Sequence, residues 1–381
     1  MLLGTAEVGL RLILGPPDPP ILVAPHWQGE EPAFAEQQGL VTPVYQRVNH
    51  ETPFPIAPQD GRPRVFVLGG SSVHGGSQLD KELEFPSMLA SLLHDGGHDV
   101  EVLNLGKPSL DSHSIRLISD QALTYQPDLL VLYLGHNDLG NTTMESRYRG
   151  IQGALEARTQ VLLRRLKLYE VLVASAVKTL PPVQGPADDR WTSPPLDEPQ
   201  RLLAAASLQD NLAHIAHTAA DAEAEVIMVT PISELSQQTP LGALCPEHTH
   251  LTRRGGSLEK VAEAIDAVLE AQPDCPILLY TRGSRRLQAG HPGACEDLRR
   301  ANDLDPRPVT ASEDMADAIR AAARSSGAAL VDLRAQVLGE HCVPPPSWFE
   351  DSVHFSELGH QQVAAILSPA VESALETYTE R

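Results

Sequence analysis

The segment RVFVLGGSSVHG, residues 64–75, decides the fold of this 381-residue chain. Its first half contains the continuous apolar run Val65–Leu68, which is typical of a strand buried on both faces of a parallel sheet. Its second half is rich in glycine and carries two adjacent serines, Ser71 and Ser72, where that strand ends. The segment therefore predicts a strand followed by a sharp turn, and it raises the question of whether one serine is a nucleophile.

The alternation of strand and helix continues along the chain. The predicted strands are Val65–Leu68, Val100–Leu105, Asp128–Leu134, Glu225–Thr230 and Ala328–Leu333. The predicted helices are Glu84–His94, Ser114–Tyr125, 151–178, Arg201–Ala222, Ala311–Ser325 and His360–Glu376. This order is typical of a doubly wound α/β sheet.

Two regions depart from this alternation. Residues 1–61 are rich in proline and weakly patterned, so we expect an N-terminal extension that wraps the surface. Residues 246–306 carry helical patterns with no strong strand, and within them Pro276–Asp305 resembles a single tetratricopeptide unit. Because such a unit cannot bury its apolar face alone, we expect a helical insertion docked on an α/β domain formed by residues 62–245 and 307–381.

The charge of the chain argues against two classes of partner. Asp and Glu number 50 against 29 Lys and Arg, a formal net charge of −21, which repels nucleic acids and anionic membranes.

The apolar N-terminal segment 1–15 is interrupted by Glu7 and Arg11 and is shorter than the ~20 residues of a transmembrane helix. We expect an amphipathic helix packed on the domain. The alternative is a segment that follows a membrane anchor, which would associate the N-terminus with a membrane.

The four cysteines are Cys245, Cys275, Cys295 and Cys342, and none shares a CxxC spacing. A zinc site is therefore not expected. An even number permits two disulfides, which would indicate an oxidising compartment, while four thiols are the alternative. Cys275 and Cys295 bracket the first helix of the hairpin, which favours a disulfide between them.

Polar or small residues follow three consecutive predicted strands. Ser71 follows the first, Asn104-Leu105-Gly106 the second, and Gly135-His136-Asn137-Asp138 the third. In open α/β sheets, ligands bind outside the carboxyl ends of the strands. We therefore expect these three segments to line one crevice.

A fourth segment, Asp351-Ser352-Val353-His354, lies on a turn that enters the last helix. A carboxylate three residues before a histidine can hold the imidazole in one tautomer and orientation. Such an imidazole can accept the proton of a serine as a general base.

These four segments, in this order, resemble the SGNH hydrolases of the GDSL-like lipase/esterase family. The family's Gly-Asp-Ser block aligns with Gly69–Gly75, which places the nucleophile at Ser71 and puts Gly70 where the family has Asp. The resemblance implies a three-layer α/β/α sandwich with a mostly parallel, flavodoxin-like central sheet, to which the helical insertion is added.

The resemblance also implies a role for each residue of the site. Ser71 attacks a carboxylic ester, His354 is the general base, and Asp351 steadies His354. The backbone N–H groups of Ser71 and Gly106 and the side-chain amide of Asn137 form the oxyanion hole. No metal or organic cofactor is implied, and the substrate is a small-molecule, lipid or glycan ester, with an O-acetyl or short acyl group included.

Two alternative functions stay open at this stage. The same triad serves an acyltransferase, in which a sugar hydroxyl replaces water, and a non-catalytic scaffold would bind a partner through the helical insertion. Ser72 is expected to have no chemical role. The permitted disulfides and exported relatives favour a periplasmic or membrane-anchored bacterial protein, whereas a complete chain would indicate the cytoplasm.

Overall fold

The structure is a computed structural model that describes residues 2–14, 32–45, 53–58, 61–75, 80–141, 166–168, 171–172, 196, 198–240, 245, 251, 258–339, 341 and 343–379. Its strands are β1 (Phe34–Gln37), β2 (Leu40–Pro43), β3 (Phe54–Pro55), β4 (Arg64–Gly69), β5 (Glu101–Asn104), β6 (Leu129–Tyr133), β7 (Glu225–Val229) and β8 (Ala329–Val331). Its α-helices are α1 (Leu2–Leu14), α2 (Ser71–His74), α3 (Phe85–Asp95), α4 (Ser112–Ala122), α5 (Glu198–Asp221), α6 (Leu258–Ala271), α7 (Pro276–Gln288), α8 (Ala294–Asp303), α9 (Glu313–Ser326), α10 (Leu333–Leu338) and α11 (Glu357–Thr379). Most of the predicted helix 151–178 lies outside the described residues, as does Cys342.

The central sheet has the strand order β5-β4-β6-β7-β8, and each neighbouring pair is parallel. Val65 and Val67 of β4 pack with α3 and α11 on one face, while Phe66 and Leu68 pack with α4, α5 and α9 on the other. Both faces are covered because β4 is apolar at every one of these positions. The predicted three-layer α/β/α sandwich is confirmed, and all five predicted strands of the sheet are present.

The N-terminal region is more ordered than its sequence indicates. Strands β1, β2 and β3 form a separate antiparallel sheet. Its buried residues Phe34, Val41 and Phe54 belong to the same apolar cluster as β4 and α4. Because the strands are only four, four and two residues long, they carry too little periodicity to be recognised in the sequence.

Arg64 joins this small sheet to the central one. Its side chain is fully buried, and the guanidinium donates hydrogen bonds to Glu101 Oε2 (2.7 Å), Tyr125 O (2.7 Å) and Pro55 O (2.9 Å). The guanidinium also lies 5.3 Å from the centre of the Phe54 ring, a cation–π contact. A buried cation is tolerated here because its N–H groups find acceptors on several segments.

Helices α6, α7 and α8 follow one another in the region predicted as an insertion, and α7 and α8 form a hairpin. A disulfide joins Cys245 to Cys275, with Cα atoms 5.9 Å apart. The predicted pairing of Cys275 with Cys295 is therefore wrong. The partner of Cys275 comes from a distant segment, which spacing within the hairpin does not reveal, and Cys295 packs beside Leu298 instead. The division into domain and insertion stays a prediction.

The N-terminal helix α1 is exposed at its carboxyl end, residues 11–14, and contacts the segment 167–168 through Glu7. The carboxylate of Glu7 accepts hydrogen bonds from the N–H groups of Lys167 and Leu168, both at 2.9 Å. Leu12 and Ile13 are 82% and 80% exposed. Among the helices of the described ranges, none is long and apolar enough to cross a membrane.

Replacement of Arg64 by Met should destabilise the protein by about 3–5 kcal/mol, because Glu101 and the backbone carbonyls that it satisfies lose a buried partner. The matched control is Arg62→Met, since Arg62 is 36% exposed and forms an ion pair with the exposed Asp99 at 3.1 Å. An exposed pair of this kind contributes about 0–1 kcal/mol. Urea unfolding of both variants measures the difference, and equal midpoints would contradict the anchoring role of Arg64.

Candidate active site

Ser71 occupies the turn at the carboxyl end of β4. It is the first residue of α2, whose backbone begins with hydrogen bonds from the N–H groups of Val73 and His74 to Gly70 O, both 3.1 Å. The N–H of a first helical residue has no acceptor within the helix, so that of Ser71 is available to a ligand. The side chain of Ser71 is half-buried.

Asn104, at the end of β5, holds this turn from beside it. Its side-chain amide donates to Val73 O (2.9 Å) and to Glu84 Oε2 (2.7 Å), and its Oδ1 accepts the N–H of Gly106 (2.8 Å). The N–H of Gly106, predicted as an oxyanion donor, is thus bound to Asn104 in this structure. A Cβ at position 106 would lie 2.7 Å from His74 N, so the close contact with α2 requires glycine here.

Residues 69–74, which contain the predicted nucleophile Ser71, are called the nucleophile turn below. Asn137 lies on the side of this turn opposite Asn104. Its Nδ2 donates to Leu110 O at 2.9 Å, and the side chain is half-buried. A Cβ on Gly70 would lie 2.7 Å from this Nδ2, which is closer than real Cβ atoms come to other heavy atoms. The glycine that replaces the family's aspartate therefore leaves space for the Asn137 amide next to Ser71.

The structure brings Asp351 and His354 into direct contact. Asp351 Oδ2 accepts a hydrogen bond from His354 Nδ1 at 2.6 Å, and Asp351 Oδ1 accepts those of the Val353 and His354 N–H groups, both at 2.8 Å. Partial burial raises the pKa of Asp351, but these three hydrogen bonds outweigh it and lower the pKa to about 2. The carboxylate stays ionised and accepts a hydrogen bond from Nδ1, which favours the tautomer with its proton on Nδ1. Nε2 of His354 is then a proton acceptor.

The helix α2, which begins at Ser71, contacts the loop of His354 through the next residue, Ser72. Within the described residues, no hydrogen bond of 3.5 Å or less joins the Ser71 side chain to His354. Instead, Ser72 Oγ donates to Val353 O at 2.9 Å, and Ser72 is 4% exposed. The sequence missed this residue because its partner lies 281 positions away and is a backbone carbonyl.

A sequence model of the GDSL-like lipase/acylhydrolase family matches residues 67–258. The chain belongs to this family. The match contains the turn after β4 and Asn137 but ends before Asp351 and His354. No curated protein matches the sequence.

Several solved structures are similar to this GDSL-like hydrolase. A lipase/acylhydrolase from Enterococcus faecalis is 11% identical, with 82% of this chain and 96% of that chain covered and a TM-score of 0.40. An acetyl xylan esterase, AlAXEase, is 14% identical, with coverage of 81% and 99% and a TM-score of 0.40. The esterase EstA from Pseudoalteromonas sp., inhibited by monoethylphosphonate, is 10% identical, with coverage of 84% and 99% and a TM-score of 0.38.

Two other histidines of the hydrolase lie near His354 but are buried. Their Nδ1 atoms accept backbone N–H groups, His136 from Ala311 and His360 from Phe85, both at 3.1 Å. Burial, together with repulsion from His354 in its protonated form, lowers the pKa of His136 to about 3 and that of His360 to about 4. Both are therefore neutral at physiological pH, whereas the side chain of His354 is 32% exposed to solvent.

Asp138 orders the segment that follows β6. Its Oδ1 accepts the N–H of Ser112 at 3.1 Å, and burial together with the charge of Asp111 raises its pKa. Asp111 in turn caps α4 by accepting the N–H of Ser114 at 2.9 Å. These buried carboxyl groups fix the helical segment 136–141, which carries Asn137, against the start of α4.

Glu84 is a buried carboxyl group below the nucleophile turn. It is 4% exposed, and burial raises its pKa to about 7, against the opposing effects of the Asn104 hydrogen bond and the charge of Lys81. The folded protein therefore keeps this proton up to about pH 7, whereas the unfolded chain releases it near about pH 4.3. Since the folded state binds more protons between these values, stability falls as the pH rises through them.

We expect Glu84→Gln to remove this loss, because the amide carries no charge to desolvate and its oxygen can still accept from Asn104. Thermal unfolding of wild type and variant at pH 5, 6, 7 and 8 should show a difference that grows with pH in favour of the variant. Glu82→Gln, an exposed neighbour, is the control and should follow wild type. Parallel curves for wild type and Glu84→Gln would contradict the assignment.

Proposed function

We propose that this chain hydrolyses a carboxylic ester through an acyl-Ser71 intermediate, with His354 as general base and Asp351 as its partner. The observation that carries the proposal is the 2.6 Å hydrogen bond between His354 Nδ1 and Asp351 Oδ2. Among the described histidines near the turn after β4, it orients the one whose imidazole is exposed to solvent. Family membership supports the reaction class, and the turn after β4 supplies the serine.

The reaction follows from these positions. Ser71 Oγ attacks the acyl carbonyl carbon as His354 Nε2 accepts its proton, and the C–O bond to the alcohol breaks as Nε2 returns that proton to it. Water then attacks the acyl carbon as Nε2 accepts its proton, and the bond from the acyl carbon to Ser71 Oγ breaks as Nε2 returns that proton to Oγ, which releases the acid. Asp351 stabilises the imidazolium that forms in both steps without taking up the proton.

The developing oxyanion requires donors that are already in place. The N–H of Ser71 is one, and the second N–H of the Asn137 amide is another, because the bond to Leu110 O uses only one of the two. Gly106 stays the third predicted donor, on the condition that its N–H leaves Asn104 Oδ1. Loss of one such donor typically lowers kcat by about 10²–10³.

The exposure of the base favours small acyl groups. The side chains of His354 and Asp351 are 32% and 54% exposed, so the pair lies at an open surface, whereas a long acyl chain requires a deep apolar cavity. We therefore propose short acyl esters, O-acetyl groups included, as the substrates.

The test is covalent labelling with a fluorophosphonate, with p-nitrophenyl acetate as substrate. We expect mass spectrometry to place one adduct on Ser71, and Ser71→Ala to lose kcat/KM by at least about 10³-fold. Hydrolysis that survives in Ser71→Ala, or an adduct on Ser72, would refute the proposal. Addition of sugar acceptors tests the acyltransferase alternative, because acyl transfer would then compete with release of acetate.

We also propose that the protein functions outside the cytoplasm. The support is the disulfide between Cys245 and Cys275, whose residues are 2% and 1% exposed. Disulfides of this kind persist in oxidising compartments.

Thiol titration of the denatured protein should find at most two reactive thiols without reductant and four after reduction, because two of the four cysteines are joined. Protein isolated from its native cell under alkylating conditions is the sample that decides the point. Four thiols without reductant would argue for a reducing compartment.

A further inference from the structure

The loop that carries the base, residues 350–354, is ordered by its own hydrogen bonds. Asp351 Oδ1 accepts the N–H groups of Val353 and His354, and the N–H of Glu350 donates to His354 O at 2.9 Å. These bonds fix the shape of the loop. They do not fix its position relative to Ser71, because both partners of each bond belong to the loop itself.

Three groups in the middle of the loop attach it to the rest of the protein: the Ser352 hydroxyl, which donates to Gln238 Oε1 at 3.0 Å, and two carbonyl groups. Ser352 O accepts the N–H of Glu234 at 3.0 Å, and Val353 O accepts the hydroxyl of Ser72 at 2.9 Å. The first bond is between backbone groups and does not depend on the side chain. The second depends on a single hydroxyl, which belongs to the residue directly after Ser71.

We propose that Ser72 is a positioning residue that sets the distance between Ser71 and His354 by holding the carbonyl of Val353. Ser72 lies in the first turn of α2, the same turn that presents Ser71, and Val353 directly precedes His354. The hydroxyl therefore joins the residue after the nucleophile to the residue before the base. This inference rests on the proposed function of Ser71 and His354.

The hydroxyl matters because the hydrogen bond is buried on both sides, at the donor Ser72 and at the acceptor Val353. Ser72 is 4% and Val353 6% exposed, so a carbonyl that loses this donor has no ready access to water. An unsatisfied buried acceptor is costly, and the loop relieves the cost by moving toward solvent, where Asp351 already lies 54% exposed. A displacement of about 1 Å at a reacting group can cost about 10²-fold in rate.

The test compares Ser72→Ala with Ser72→Thr, which keeps the hydroxyl, and with Ser91→Ala. Ser91 is the matched control because its hydroxyl also donates to a backbone carbonyl, Ser87 O at 3.2 Å, but on an exposed face of α3. For Ser72→Ala we expect kcat to fall by about 10–100-fold, with KM and the pH at half-maximal kcat/KM unchanged because the Asp351–His354 pair is intact. Ser72→Thr should recover most of kcat, and Ser91→Ala should match wild type.

Wild-type kcat in Ser72→Ala would overturn the inference, as would a loss that Ser72→Thr fails to recover or that disappears after correction for the folded fraction. A crystal structure of Ser72→Ala gives an answer that does not depend on activity. We expect residues 352–354 to lie farther from α2, and an unmoved loop would overturn the inference. Absence of Ser71-dependent hydrolysis in wild type would instead refute the proposed function.

Discussion

The geometry of the site depends on the three hydrogen bonds of the Asn104 carboxamide. β4 and β5 are parallel and pair Val67 with Asn104, so both chains leave the sheet at the same edge. There the amide N–H groups bind Val73 O and the Glu84 carboxyl, and the amide oxygen binds the N–H of Gly106. One side chain thereby fixes the helix that presents the serine, the start of α3, and the turn after β5. Backbone pairing aligns the strands, but this side chain determines how their loops lie against one another.

The loop of residues 350–354 is also held by the segment that follows β7. Ser352 donates its hydroxyl to Gln238 at 3.0 Å, in addition to the backbone bond that it accepts from Glu234. The same segment after β7 accepts a hydrogen bond at Ser236 O from the hydroxyl of Tyr280 on α7, at 2.6 Å. The helical hairpin, which interrupts the α/β pattern in sequence, thus packs in space against the segment that supports the loop of His354. The hairpin therefore contacts a segment that is itself bonded to the loop of residues 350–354.

The sequence identifies the parts of the structure whose signal is local. The strands of the central sheet are found because they are continuous apolar runs, and Asp351 and His354 are found because contact across three residues requires only one turn. The partner of Cys275, the acceptor of Ser72 and the anchor formed by Arg64 are missed, because each depends on a segment distant in the chain. Backbone carbonyls in particular have no signature in a sequence. The prediction of Gly106 as an open donor is incomplete for the same reason, since its N–H meets a side chain whose direction only the fold defines.

Gly70 and Asn137 are best understood as one feature. The family places aspartate at position 70. In this chain, a Cβ at position 70 would lie only 2.7 Å from Nδ2 of Asn137. With glycine, that amide reaches Leu110 O and remains beside Ser71 with a second N–H to donate. An aspartate would force the amide to rotate, and it would also add a negative charge next to the oxygen that becomes an oxyanion. Glycine at this position therefore leaves space for the Asn137 amide and keeps a charge away from the N–H groups that we propose as oxyanion donors.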